Sequence, residues 1–369
     1  MTIRSLIFLT LINLHLNPCL AQVPFRWVGY SPSYPWQPNV IADSVLVCRD
    51  LETLRDYGFR GLVTYGTLDS LCRVPRYAKA LGFDSVIMGI WIDTNTTVNQ
   101  LGITWALRSH GPADKLCVGN EALFLGRCSL DYLQRVMDTI RLVTGKPVTT
   151  AEHWTMYHHP RYRDWLLQNC DLLFPICNPT DNGIFDPNAG AHWVKARFDS
   201  IALLAGDSLP VLVKEAGWPT HSDSIPQRSW ANESCQTIFF SLLDSIRDTS
   251  RFRFCHFEAY DGYWKRWDST QRYWGLFDSL RNPKRYVREL MVAEPESERH
   301  SWGHSNSATM VMANRLALPD RLAGGLFDSC GRLVLELHPG PNDVSRVAPG
   351  VYFVRAPSAV SVRKVLVTR

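Results

Sequence analysis

With 369 residues, 46% of them apolar, the chain is long enough for one large domain and a small one, each with an ordinary packed core. Its 39 Lys and Arg against 35 Asp and Glu are scattered rather than blocked, which leaves no footprint for nucleic acid or an anionic membrane surface. The 13 Trp and 13 Tyr exceed the need of a core; such rings serve where a flat, half-apolar ligand such as a sugar is held at a wet surface, although any one Trp is as readily a core residue.

The N-terminal segment joins Arg4, a mostly apolar run over 6–16 and the small-residue end Cys19-Leu20-Ala21, and residues 1–21 read as a secretory signal peptide. Asn17 and Pro18 suit a lipoprotein signal poorly, so cleavage after Ala21 is expected. The run is too short to cross a bilayer, and no later stretch approaches the roughly 20 apolar residues of a transmembrane helix. Nine of the ten cysteines then face a compartment that permits disulfides, with the pairing unreadable. None has CxxC spacing, and Cys117, Cys177 and Cys255 fall in or beside strand-like runs, as buried thiols do. Neither a metal nor a cofactor is expected.

Residues 25–30 (FRWVGY), 61–65 (GLVTY), 85–92 (SVIMGIWI), 115–119 (KLCVG), 147–151 (PVTTA), 171–176 (DLLFPI), 210–214 (PVLVK) and 252–258 (FRFCHFE) read as eight strands. Between them, 44–57, 130–143 and 229–248 place apolar residues at three- and four-residue intervals, and a final helix is expected over 283–291. The alternation predicts a (β/α)8 TIM barrel over 22–291. A doubly wound open sheet is disfavoured because Tyr30-Ser31-Pro32-Ser33, not a glycine-rich turn, follows the first strand. Residues 292–316, with Glu294-Pro295-Glu296-Ser297-Glu298, read as a linker, and 317–369 as a small antiparallel β module with runs at 332–337, 351–355 and 362–367.

In such barrels the reactive groups project from the C-terminal ends of the strands. The fourth run leads into Asn120 and Glu121, the seventh into Glu215 and then Ala216-Gly217-Trp218-Pro219. A lone rim glutamate is usually a structural hydrogen-bond acceptor; a pair from strands nearly opposite can flank a glycosidic bond. Acetal hydrolysis needs a protonated carboxyl for the leaving oxygen and a carboxylate about 5–5.5 Å away when a covalent intermediate forms. The acid must carry a raised pKa and the nucleophile must stay ionised. Asn120 suits a hydrogen bond to a sugar 2-hydroxyl, or a cap on the rim turn. Trp91, Trp154, Tyr260, Trp264 and Trp274 lie at strand ends, some to stack on sugars and others to pack the barrel top. His153, His158, His159 and His192 form no metal-ligand pattern.

The segments VGNEAL (118–123), KEAGWPT (214–220), FEAYDGYWK (257–265) and WGLFD (274–278), with TYG (64–66), GIWI (89–92) and TTAEHW (149–154) in order, resemble glycoside hydrolase family 17, the β-1,3-glucanase-like barrels. The resemblance implies a retaining hydrolase of β-1,3-glucan or a related β-glucan, with Glu121 as acid/base and Glu215 as nucleophile. Tyr65, Trp218, Glu258 and Lys265 would bind sugar or orient the carboxylates, joined by Asn120 and Tyr260 from their position. The chain departs from that pattern at Gly262, and at Asp268 and Gln271, where many members carry further acidic residues; these changes bear on the outer subsites and on linkage preference.

The tail, GLFDSCGR (325–332) and the stretch 348–369, resembles the C-terminal sorting module of type IX secretion substrates. That resemblance implies export machinery as a partner and a secreted or cell-surface location in an outer-membrane bacterium, with an ordinary β domain for stability or carbohydrate binding as the alternative. Two other functions fit the same residues. One is a β-glucan transglycosylase, in which a sugar hydroxyl intercepts the covalent intermediate. The other is a catalytically silent glycan-binding surface protein, against which the retained carboxylates and Lys265 speak.

Overall fold

A computed structural model describes residues 25–33, 43–207, 209–266 and 268–293, and, further on, 309–311, 315–318, 324–328, 332–348, 350–355 and 362–367. The expected signal segment lies outside the described residues. The chain divides into two compact units, Met1–Met291 and Val292–Arg369.

In the first unit, β1 (Arg26–Gly29), β2 (Phe59–Val63), β3 (Ser85–Ile90), β4 (Lys115–Asn120), β5 (Val148–His153), β6 (Phe174–Ile176), β7 (Val213–Gly217) and β8 (Phe254–Phe257) close a barrel in chain order. Every neighbouring pair is parallel. The crossovers carry α1 (Ser44–Asp56), α2 (Val74–Ala80), α3 (Thr96–Ser109), α4 (Leu130–Thr144), α5 (Arg163–Asn169), α6 (Pro187–Ala205) and α7 (Glu233–Asp248), and α8 (Arg285–Ala293) follows β8. This is the expected TIM barrel.

Local sequence sets the helix ends. Ser129 caps α4 by accepting the Tyr132 N–H, and Gly145 ends it in the left-handed conformation that costs glycine least. Between those ends Leu133, Val136, Met137 and Ile140 form one buried stripe. Leu133→Ala alone would cost about 2–5 kcal/mol. The strands alternate in the same way: Val63, Ile87, Cys117, Ala151, Phe174 and Cys255 form a cluster free of helix residues, the filling of the barrel. Their neighbours Leu62, Val86, Leu116, Val118 and Val213 join the helices in the outer layers.

The observed strands differ from the sequence reading at two places that matter for the site. β7 begins at Val213, so Glu215 lies within the strand and not after it. The reason is pairing: Glu215 is in register with Ile176, and Ala216 and Gly217 with His256 and Phe257, while Val211 makes only an isolated bridge. β5 runs on to His153, two residues beyond the expected end, which brings Glu152 into the sheet.

The second unit is a five-stranded sheet of order β12 (Leu333–Leu337), β11 (Gly324–Phe327), β14 (Gly350–Arg355), β15 (Val362–Val367) and β9 (Thr309–Val311), beside a two-stranded pair of β10 (Arg315–Leu318) and β13 (Gly340–Asp343). All pairs are antiparallel except β15 with β9. It has its own core, including Leu316, Leu326, Leu337, Val354 and Val365. The stretch read as a linker therefore contributes a strand. Three residues whose partners are the last of the chain carry no local strand signal.

No helix among the described residues is long and apolar enough to cross a membrane. The eight described cysteines are free thiols, Cys117, Cys177 and Cys255 among the buried ones.

Candidate active site

The site begins with an irregularity at the end of β4. The ladder to β5 slips between Cys117 and Asn120, where Gly119 takes φ +83° and Glu121 takes φ +54°. A left-handed backbone is disfavoured for any residue with a β-carbon and is a recurrent mark of functional positions. Glu121 is held in it by its N–H, donated to Ala151 O at 2.7 Å, and by its carbonyl, which accepts Leu125 N–H at 2.9 Å. Its side chain is half-buried. Burial, then the charges of Glu215 and Glu152, push the carboxyl up to about 8 against the opposing pull of Lys214.

Glu215 is 5% exposed and lies three strands away on β7. The buried Lys214 ammonium is 3.0 Å from its Oε1, donates also to Asn120 Oδ1, and rests 3.9 Å from the centroid of the Tyr65 ring. Asn120 thus ties β4 to β7 through its amide oxygen. Burial first, then the Glu215 charge, raise the Tyr65 phenol well above its ordinary range, and among the described residues its buried hydroxyl closes no hydrogen bond of ordinary geometry.

Two further ion pairs build the floor after β8. Lys265 donates to Glu258 Oε1 at 2.5 Å, both residues buried. Burial raises the Glu258 carboxyl and Lys265 opposes it. Lys284 joins Asp261 Oδ1 at 2.6 Å to Thr220 Oγ1 at 2.7 Å, and Asp261 also accepts Gly275 N–H. The segments following β7 and β8 are pinned together in this way.

The structure places Trp218 and Tyr260 in the core. Trp218 has no exposed surface; its indole N–H donates to Trp230 O at 2.9 Å and its ring packs on Phe239 and Trp230. Gly190 of α6 leaves room for it, since a β-carbon there would come within 2.9 Å of the ring. Tyr260 is buried against Tyr30 and Phe277 with its hydroxyl on Asp50 O at 3.0 Å. Neither has a ring face for a sugar, and Trp274 is equally buried. Of the other rim aromatics, Trp264 is 37% exposed, and Trp91 and Trp154 are half-buried under Arg127 and Arg197.

Three residues escaped the sequence reading. Phe124, three positions after Glu121, is exposed and stacks on His153 at 4.4 Å. Asp181, in the 3-10 turn Thr180–Asn182 after β6, keeps solvent access yet is raised to about 6, first by surrounding protein, then by Glu215 and Asp268. Glu152 is wholly buried behind the Glu121 turn. Only Phe124 carried a signal, as an aromatic beside a strand-end carboxylate. Among the described residues no group of three or more His, Cys, Asp or Glu side chains has the arrangement of a metal site.

The fold and the family comparison define the class: residues 28–275 match the BtgE/BtgC glycoside hydrolase domain, and the chain belongs to that family. Its curated relatives include the btgC proteins of Aspergillus niger, 24% identical over 294 residues, and of Emericella nidulans, 22% identical over 290, the latter named a glucan endo-1,3-beta-glucosidase. The alignments cover 69% and 68% of this chain but only 40% and 42% of those proteins. The fold is shared with a glycoside hydrolase family 17 beta-1,3-glucanosyltransferase from Rhizomucor miehei, at a TM-score of 0.59 and 19% identity over 71% of this chain and 96% of that one. It is shared also with an endo-laminarinase from Formosa Hel1_33_131, at 0.64 and 16% over 74% and 89%.

Proposed function

We propose that the barrel is a retaining hydrolase of β-1,3-glucan or a related β-glucan, with Glu121 as acid/base and Glu215 as nucleophile. The observation that carries this reading is the contrast between the two carboxyls: Glu121 is held protonated up to about 8, while Glu215 lies against the Lys214 ammonium. A carboxyl whose protonated form is favoured suits the acid, and one beside a fixed cation suits the nucleophile. In the first step Glu121 gives its proton to the glycosidic oxygen as that oxygen leaves, and Glu215 bonds to the anomeric carbon. In the second, the Glu121 carboxylate takes a proton from water, whose oxygen bonds to the same carbon and releases Glu215.

The choice of glucan is supported by the names of the relatives and by the laminaritriose complex of the Rhizomucor glucanosyltransferase. Transfer to a sugar in place of water is the second reading, favoured by the exposed Phe124 ring near Glu121, which offers an acceptor a stacking face. The tail's resemblance to a sorting module supports an exported barrel, with the separately cored second unit as its address.

Incubation of the protein with β-1,3-gluco-oligosaccharides, followed by mass spectrometry of the products, tests the reading. Shortened products from the parent and none from Glu121→Gln or Glu215→Gln are expected; lengthened products assign transfer. Unchanged turnover by Glu215→Gln removes it as nucleophile.

A further inference from the structure

Behind the Glu121 turn, Glu152 of β5 makes no approach to solvent. Its Oε1 accepts the Leu123 N–H at 3.0 Å and its Oε2 the Phe124 N–H at 3.1 Å. Two successive residues after Glu121, Leu123 and Phe124, therefore turn their amides toward one carboxylate, a backbone anion nest filled by the protein's own side chain. The preceding residue, Ala151, accepts the N–H of Glu121 itself. β5 thus grips the turn on both sides of its left-handed residue.

We infer that Glu152 is a positioning residue for the catalytic acid: its buried carboxylate fixes the turn that aims Glu121 at the glycosidic oxygen. The inference rests on the reading of Glu121 as the acid. Glu121 is faced by Glu215 and Lys214 from β7, by Asp181 from the turn after β6 and by Glu152 from β5. Glu152 in turn faces Cys117, Cys128 and Tyr157, all raised by burial to about 11 or beyond. Glu152, raised to about 7, and Asp181, raised to about 6, both gain charge below the pH at which Glu121 loses its proton, and of the two only Glu152 also holds the turn.

The test compares Glu152→Gln with the parent on two substrates, a β-1,3-gluco-oligosaccharide and a dinitrophenyl β-gluco-oligosaccharide whose leaving group needs no proton, reading the first, leaving-group-releasing step. Misplacing an acid worth ~10²–10⁴-fold should cost at least ~10-fold on the oligosaccharide and under ~3-fold on the dinitrophenyl substrate. The alkaline limb of the pH profile should also move to lower pH, because a charge that helped Glu121 keep its proton is gone. Equal losses on both substrates with an unmoved limb overturn the inference and leave Glu152 a purely structural residue. Should Glu152→Gln not fold, Glu152→Asp carries the test: it keeps the charge and withdraws the grip, so the oligosaccharide-selective loss should appear with the limb unmoved, and equal losses overturn the inference. Glu121→Gln, measured alongside, separates the two levels. If it keeps oligosaccharide cleavage, the reading of the acid falls; if it loses cleavage, only the role of Glu152 is at stake.

Discussion

The Lys214 ammonium and the Asn120 amide oxygen are hydrogen-bonded across the barrel end, although 94 residues separate them in the chain. The same ammonium is the charge partner of Glu215. One buried cation therefore links the strand that leads into Glu121 to the strand that carries Glu215.

Lys214→Met should damage stability and activity together. Removing one member of a buried pair leaves the other charge uncompensated, a loss of about 3–5 kcal/mol. Glu215 also loses the cation that orients its carboxylate, so turnover should fall with stability. Denaturant midpoints and turnover on a β-1,3-gluco-oligosaccharide check both effects; a folded, fully active Lys214→Met protein contradicts them.

The raised Glu121 carboxyl makes two predictions of pH. Activity should fall on the alkaline side near pH 8, as the acid loses its proton. Stability should fall too: between the 4.5 of an ordinary glutamate and about 8, the folded state keeps a proton that the unfolded chain has released. The folded state binds more protons there, so unfolding becomes easier as pH rises. Glu121→Gln removes this contribution, and should be more stable than the parent at pH 8 while inactive on oligosaccharides, as thermal melts at a series of pH values would show.

Glu258 and Lys265 should behave as a coupled pair. Lys265→Met alone is expected to cost about 3–5 kcal/mol, because it strands a buried carboxylate, whereas adding Glu258→Gln should restore much of that loss. A double-mutant cycle of unfolding free energies reads the coupling, and simple additivity would argue against the pair.

Gly217→Ala should be severe despite its small size. A β-carbon there would lie 2.4 Å from Phe257 O and 2.6 Å from the Trp274 ring, both fixed in the barrel wall. The strain is expected to cost about 1–3 kcal/mol. It should also lower turnover, since β7 carries Glu215 two residues earlier.

The barrel was legible because it rests on local pattern, apolar runs alternating with amphipathic helices, and Glu121 and Glu215 could be nominated because they stand where those runs end. Glu152 was not, since TTAEHW reads as strand whatever its glutamate does. Its role arises from the slipped register between β4 and β5, which no single segment encodes. The burial of Trp218 and Tyr260 was unreadable for a related reason. An aromatic after a strand can turn to the cleft or back to the helices, and the choice lay with distant partners, Trp230 and Gly190 for one and Asp50 for the other. β9 was missed because its pairing lies wholly with the last strand of the chain.

The left-handed backbone at Glu121 means that the fold itself would be more comfortable with glycine there. A search for stabilising substitutions would therefore nominate this position early, and would remove the proposed proton donor in doing so. Variants ranked by melting temperature alone would drift toward a sturdier barrel with no acid, so resistance to heat and catalytic competence have to be selected together at residue 121.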